Sequence, residues 1–426
     1  MKYSEMSKEQ LQNEYTKVRA EYDSWCQQNL SLDMARGKPG PDQMDLSLEL
    51  FDLVNTKTGF KNFTGIDCRN YGGLDGLIEL KNLFSEIMGV APDQVIVGGN
   101  SSLNMMYDTI SQAMVSGFSG EKPWLLQDEP KFICPAPGYD RHFAICEHFG
   151  IKMITVPLNE DGPDMDTVEE LVKDESVKGM WCVPKYSNPD GITYSDETVR
   201  RIAKLEPAAK DFRIFWDNAY AIHNFRDDDV ELLNIYEECK KHGHENNVLM
   251  FVSTSKITFP GAGVAAEAAS PQNVAELKAR MKYQTIGPDK LNQLRHARMF
   301  PDIESLLKHM KRHSDIIRPK FDAVLSEFDK HLLKYDIAHW AHPTGGYFIS
   351  LFVNNGCAQR TVELCKKAGL ILTPAGATYP YGVDPNDSNI RIAPSYPLVS
   401  DLVIATDLLC TAIKLSTLEK MLGAAE

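Results

Sequence analysis

Residues 249–256, LMFVSTSK, pass from an apolar run through three hydroxyl side chains to a lysine. A short apolar run bounded by polar residues suits a buried strand, and the hydroxyls mark where it leaves the sheet. Upstream lie four runs of the same kind: VIVGG (95–99), ITVPL (154–158), MWCVP (180–184) and RIFWD (213–217). Helix-like stretches separate several of them, such as the one carrying Leu103, Met106, Tyr107, Ile110 and Met114. That alternation predicts an α/β fold with a mostly parallel central sheet, whose ligands gather at the carboxyl ends of the strands.

Outside this region the pattern changes. Ser7 and Gln10 have capping-box spacing, and Leu11, Tyr15, Val18, Tyr22 and Trp25 then recur at helical intervals. ARGKPGPDQMDLS (35–47) is rich in Gly and Pro and reads as loop. Beyond about residue 301, helical stretches return, followed by GGYFISLFV (345–353) and a last helix over 401–422. We therefore expect a large domain over 51–305 and a smaller α+β domain built from 1–50 and 306–426.

The 426 residues are 43% hydrophobic and 24% charged, ordinary values for a water-soluble globular chain. A formal charge of −14 opposes nonspecific binding to nucleic acid or anionic membrane. The start, MKYSEMSKEQ, is charged where a secretion signal needs an apolar core, and no long apolar run follows, so a cytoplasmic protein is expected. Nine scattered cysteines without a C-x-x-C pair point to reduced thiols, with neither a disulfide framework nor a metal site.

Five groups of residues can carry chemistry. In VIVGG-Asn100-Ser101-Ser102 a strand gives way to a helix start with two hydroxyls, an arrangement that suits phosphate as well as a plain helix cap. Asp217 ends an apolar strand, where an ionised carboxylate needs a cationic partner. Lys256, in a half-buried place, can have a lowered pKa and attack carbonyls. YSNPDG (186–191) is a turn holding Asn188, and Arg391 sits inside the apolar run NIRIAP, where it can clamp a carboxylate or form a structural salt bridge. Each group alone has an ordinary structural reading; their order along the chain does not.

That order, with ARGKP, NYGGLDGL, GGNSSL, CPAPGYDRHF, WDNAY, STSKITFPGAG, IGPDKLNQLRHARMF and TPAGATYPYG, resembles fold-type I pyridoxal-phosphate enzymes over nearly the whole chain. The likeness is greatest to the aspartate aminotransferase subgroup called type Ic, which is related to the effector domains of MocR-type regulators. The resemblance implies pyridoxal 5'-phosphate held by Lys256 as a Schiff base, with Lys256 also shuttling the substrate proton. It implies that Asp217 keeps the pyridine nitrogen protonated, that Tyr220 and Asn188 contact the phenolic oxygen, and that Tyr139 stacks on the ring. His142 matches a histidine that some relatives place behind the aspartate. Ser101, Ser102, Ser253 and Ser255 match phosphate ligands, and Tyr71 matches a tyrosine contributed by the neighbouring subunit of a homodimer with shared active sites.

Arg391 and Gly37 match the contacts to a substrate α-carboxylate. For a second, distal carboxylate the resemblance offers Arg141, Arg36 or Lys38, or Arg295 and Arg298. One departure is clear: members of the family carry a phosphate-binding Arg eight or nine residues beyond the lysine, where this chain has Val264 and Ala265. The implied activity is ping-pong transamination between aspartate or glutamate and 2-oxoglutarate or oxaloacetate. The competing readings are an aminotransferase for aromatic or neutral amino acids, a lyase using the same cofactor, and a ligand-sensing MocR-like effector. The last is disfavoured because the enzyme-like pattern begins by Arg36, leaving room for one helix.

Overall fold

All five apolar runs become strands of one eight-stranded sheet in the computed structural model, which describes residues 1–226 and 230–423. Its strands are β1 (Val95–Val97), β2 (Lys131–Ala136), β3 (Lys152–Asn159), β4 (Gly162–Pro163), β5 (Val177–Cys182), β6 (Arg213–Asp217), β7 (Val248–Ser253) and β8 (Ala265–Ala269). They lie in the order β1-β8-β7-β6-β5-β2-β3-β4. Pairing is parallel from β3 through β2, β5 and β6 to β7, while β8 runs antiparallel to both its neighbours and β4 antiparallel to β3. The expected mostly parallel sheet is therefore present.

Three of these strands were not foreseen: the two-residue β4, and β2 and β8. In β2, Pro135 argues against a central strand because it donates no ladder hydrogen bond. The structure resolves the conflict: β2 pairs with β5 only through Ile133, so Pro135 lies where one side of the strand is already free. In β8 the sequence AAEAA lacks the β-branched and aromatic residues that mark strands. It is nonetheless buried throughout, as an antiparallel strand between β1 and β7.

Side chains alternate across the sheet. Met180, Ile214, Trp216 and Met250 enter one core, while Trp181, Phe215, Leu249 and Phe251 enter another on the opposite face. A strand apolar on both faces must be covered on both, which is why its sequence reads as a continuous run.

The helices that concern the site and the cores are α1 (Lys8–Cys26), α2 (Ser102–Ser116), α3 (Asp140–Phe149), α4 (Ile303–His331) and α5 (Val399–Leu422), with others between. The capping box at α1 is formed, with Gln10 N donating to Ser7 Oγ at 3.2 Å and Ser7 N donating to Gln10 Oε1 at 2.8 Å. Leu11, Val18 and Tyr22 face inward from α1. They join a third core made with α4, α5 and a sheet of β9 (Ala338–Trp340), β10 (Ile349–Val353) and β11 (Asn389–Ile392). Helix α4 bridges the cores: Leu306 and Met310 pack with the large sheet, and Ile317, Phe321 and Phe328 pack with the small one.

The segment after α1 is tied down beside the small sheet, partly in a two-stranded sheet of its own. Leu32–Asp33 pairs parallel with Leu370–Ile371, and Ala393 N donates to Met34 O at 3.0 Å. Thr373 Oγ1 then holds Ala35 O at 2.7 Å and Ser395 Oγ holds Lys38 O at 2.9 Å. The loop 35–38 is thus fixed at the edge of the large sheet.

Candidate active site

Strands β1, β2, β5, β6 and β7 run in the same direction, so the loops after them meet at one edge. There they line a cavity of about 430 Å³ with the loop 35–38 and the small sheet. Its walls include Ser101 and Ser102 after β1, Tyr139 after β2, Asn188 after β5, Asp217 and Tyr220 at and after β6, and Ser253, Ser255 and Lys256 at and after β7. Gly37, Arg36, Arg141 and Arg391 complete it. Residues far apart in sequence are brought together by the sheet order.

Asp217 lies on the floor. Its Oδ2 is 3.0 Å from His142 Nε2, and its Oδ1, also buried, has no hydrogen-bond partner among the described residues. His142 is itself buried, with its ring stacked on Trp181 at 4.3 Å between centroids. His142 is therefore an interior residue behind the aspartate and not a surface one. An unpartnered buried carboxylate oxygen costs on the order of 1–3 kcal/mol, so the site is built for a donor that binds there.

Lys256 sits in the loop that leaves β7. Burial lowers the pKa of its ammonium, and the nearby Asp217 carboxylate raises it, the first effect prevailing. Its Nζ lies 4.8 Å from the centre of the Tyr220 ring. The Tyr220 phenol is pushed well above its ordinary pKa, first by burial and then by neighbouring Tyr139 and Asp217. Tyr139 is likewise raised, chiefly by burial.

The hydroxyl cup is compact. Ser253 Oγ donates to Ser255 Oγ at 3.2 Å, and Ser255 Oγ donates to Asn100 O at 2.9 Å, which ties the end of β7 to the turn before α2. Ser101 is the N-cap of α2, yet its side chain makes no capping hydrogen bond, so the free amide end of α2 opens to the cavity. Val264 and Ala265 are fully buried, and Val264 N donates to Thr254 Oγ1 at 2.9 Å. No guanidinium enters the cup from there. The cations that line the cavity are Arg36, Lys38, Arg141, Lys256 and Arg391.

Arg391 is carried on β11, opposite Ser350 of β10. Its guanidinium lies 5.0 Å from the ring centre of Phe348. A Cβ on Gly37 would come within 2.4 Å of that ring, so only glycine lets the loop pass here. Arg141 and Arg36 form no side-chain hydrogen bond or ion pair among the described residues. Lys38 packs its ammonium 3.8 Å from the Tyr396 ring centre. Arg298 is committed elsewhere, donating to the carbonyls of Leu53, Gly59 and Lys61, and is removed as a reader of substrate. Tyr71 is 82% exposed and does not line the cavity of its own chain.

The signals missed from sequence are Asp140 and Thr373, both of which touch Arg391 and neither of which stands out locally.

Residues 6–425 match the family model described as aspartate amino-transferase. The chain is 45% identical over 403 residues to an aspartate aminotransferase of Corynebacterium glutamicum, covering 94% of this chain and 93% of that one. A crystal structure of an aspartate transaminase from Corynebacterium glutamicum aligns with a TM-score of 0.96 and 43% identity over 99% of both chains. The α-aminoadipate aminotransferase of Thermus thermophilus, solved with N-(5'-phosphopyridoxyl)-L-leucine, shares the fold at a TM-score of 0.74 and 20% identity, over 94% of this chain and 95% of that one. With its sheet order, its cavity lysine and these likenesses, the chain belongs to the aspartate aminotransferase family of fold-type I pyridoxal-phosphate enzymes.

Proposed function

We propose that this protein transfers the amino group of L-aspartate or L-glutamate to 2-oxoglutarate or oxaloacetate in two half-reactions, with pyridoxal 5'-phosphate bound covalently through Lys256. The observation that carries the reading is the buried, unpartnered Oδ1 of Asp217, which lines the same cavity as the desolvated amine of Lys256 and the guanidinium of Arg391. That combination fits a protonated pyridine ring, its aldehyde carbon and a substrate carboxylate.

Pyridoxal phosphate, when bound, supplies an exchangeable carbonyl and an electron sink for the breaking Cα–H bond. The chain supplies the rest. Asp217 holds the proton on the ring nitrogen, and His142 keeps Asp217 in place through its other oxygen. Tyr139 covers the ring face, Asn188 and Tyr220 face the phenolic oxygen, and Ser101, Ser102, Ser253 and Ser255 take the phosphate with the amide end of α2. Lys256, with its ammonium pKa lowered by burial, takes the α-proton and returns it. Arg391, with Gly37 beside it, binds the α-carboxylate; Arg141, with Arg36 as the second candidate, reads the distal one.

A homodimer belongs to this reading. Phe51, Phe63, Ile66 and Tyr71 are exposed in one stretch of chain, with Tyr283 and Ile286 also exposed on the segment that meets Gly72 at Gly287. Such a patch is larger than isolated surface residues require. In this reading Tyr71 of the partner subunit is the remaining phosphate ligand. We further take 51–305 as the cofactor-binding body and 1–50 with 306–426 as the second body. Among the described residues no helix is long and apolar enough to cross a membrane, in keeping with a cytoplasmic enzyme.

The deciding experiment is a titration of the pyridoxal-phosphate-loaded protein with L-aspartate in the absence of any oxo acid. The visible absorbance of the bound cofactor should fall and then return on adding 2-oxoglutarate. An absorbance indifferent to aspartate and glutamate but responsive to phenylalanine would replace the substrate assignment while keeping the transaminase. Indifference to every amino acid would defeat it.

A further inference from the structure

Asp140 is the first residue of α3, one position beyond Tyr139, and it lines the cavity. Its Oδ1 lies 2.8 Å from Arg391 Nη1, the nitrogen that also reaches Asn188 Oδ1 at 3.3 Å. The rest of the guanidinium is poorly engaged. Nη2 has Thr373 Oγ1 at 3.4 Å, and Nε is buried with no partner among the described residues. The arginine side chain is 8% exposed and the aspartate 33%.

A guanidinium this deeply buried is costly without a counter-ion, and here Asp140 is that counter-ion. An incoming carboxylate, however, binds best through two parallel N–H donors of the same group. Asp140 already holds one of them, and two anions on one guanidinium repel each other. Arg391 is held in place by Phe348 beside it and by its position on β11, whereas the partly exposed Asp140 has solvent to turn into. When the two carboxylates compete, Asp140 is the one that yields.

We infer that Asp140 is a competing internal carboxylate that occupies Arg391 until a substrate carboxylate displaces it. The displacement weakens every carboxylate ligand. It is offset only for ligands whose second anionic group finds its own cation, and the unpaired Arg141 is next in the chain. The penalty is the same for monocarboxylates and dicarboxylates, but only dicarboxylates gain a second contact, at Arg141, that outweighs it. This inference rests on the reading of Arg391 as the α-carboxylate clamp.

The test uses the holoenzyme and two unreactive ligands, propionate and succinate, with Kd read from the visible absorbance of the bound cofactor at fixed pH and salt. Asp140→Asn, which keeps the side-chain volume, and Asp140→Ala should each bind propionate about tenfold tighter than the parent, a typical size for removing one competing charge at a desolvated site. Succinate should gain by a similar factor, and KM for L-aspartate should fall more than kcat changes. A merely structural role for Asp140 would loosen both ligands instead of tightening them; that result, or unchanged affinities in both variants, overturns the inference. Arg391→Lys separates the two ideas. If it binds both ligands as tightly as the parent, the clamp assignment itself fails; if it loses them while the Asp140 variants do not tighten, only the present inference fails.

Discussion

His142 Nε2 and Asp217 Oδ2 stand 3.0 Å apart beneath the cavity, and this one contact leaves the other carboxylate oxygen, Oδ1, free for a ligand. The histidine is fixed by stacking on Trp181, so it sets the orientation of the aspartate without touching the cavity contents. His142→Phe should lower kcat by about tenfold and weaken cofactor retention, the scale expected for a hydrogen bond to a charged group. His142→Gln should recover part of the loss. Steady-state kinetics and dialysis against buffer check this, and parent-like values in His142→Phe would remove the positioning role.

Lys256→Ala should abolish the covalent cofactor absorbance and reduce transamination by about 10⁴-fold or more, because one side chain serves as both anchor and proton carrier. The thermal midpoint of the apoprotein should change little, since the amine has no structural partner beyond the Tyr220 ring. Spectra, turnover and melting curves of the purified variant are the relevant measurements.

Tyr71 offers a test of shared sites. Tyr71→Ala alone should weaken cofactor binding and turnover. A subunit carrying Tyr71→Ala, mixed in equal amount with one carrying Lys256→Ala, should regain about one quarter of parental activity, because half the dimers would be mixed and each would hold one intact site. No recovery after verified subunit exchange would place Tyr71 outside the active site.

Gly37→Ala brings a Cβ within 2.4 Å of the Phe348 ring, which in turn lies beside the Arg391 guanidinium. The ring or the loop must move, and the carboxylate clamp moves with it. KM for aspartate should rise about tenfold or more with a smaller change in kcat, as befits lost ground-state binding. Equal falls in kcat and kcat/KM would point instead to the reacting atoms.

Glu267 lies on β8, fully buried, and burial pushes its carboxyl up to about 8 while Thr109 pulls weakly the other way. Its ordinary value is 4.5, so between these limits the folded chain keeps a proton that the unfolded chain has released. Stability must therefore fall as pH rises through that window and level off above it. Glu267→Gln removes the ionisable group. The variant should match the parent near pH 4.5 and exceed it by roughly 2–4 kcal/mol at pH 8. Denaturant unfolding at the two pH values decides it, and identical pH profiles would show the carboxyl to be normally ionised.

By itself the sequence determined where the strands of the sheet lie and which chemical groups end them. LMFVSTSK, RIFWD and VIVGG carry that information locally, because a strand buried on both faces must be apolar throughout and its polar follow-on marks the loop edge. Strands β2 and β8 were hidden, since Pro135 and the alanine run of β8 become strand only through their neighbours. The same holds at the site. That His142 is buried behind Asp217 follows from α3 packing over Trp181. That Arg298 serves backbone carbonyls, that Tyr71 turns away from its own cavity, and that Asp140 meets Arg391 across 251 positions of chain were decided only by the tertiary structure. Residue type and local periodicity fix which groups a segment carries; which of them meet depends on sheet order and inter-core packing, and those are properties of the whole chain.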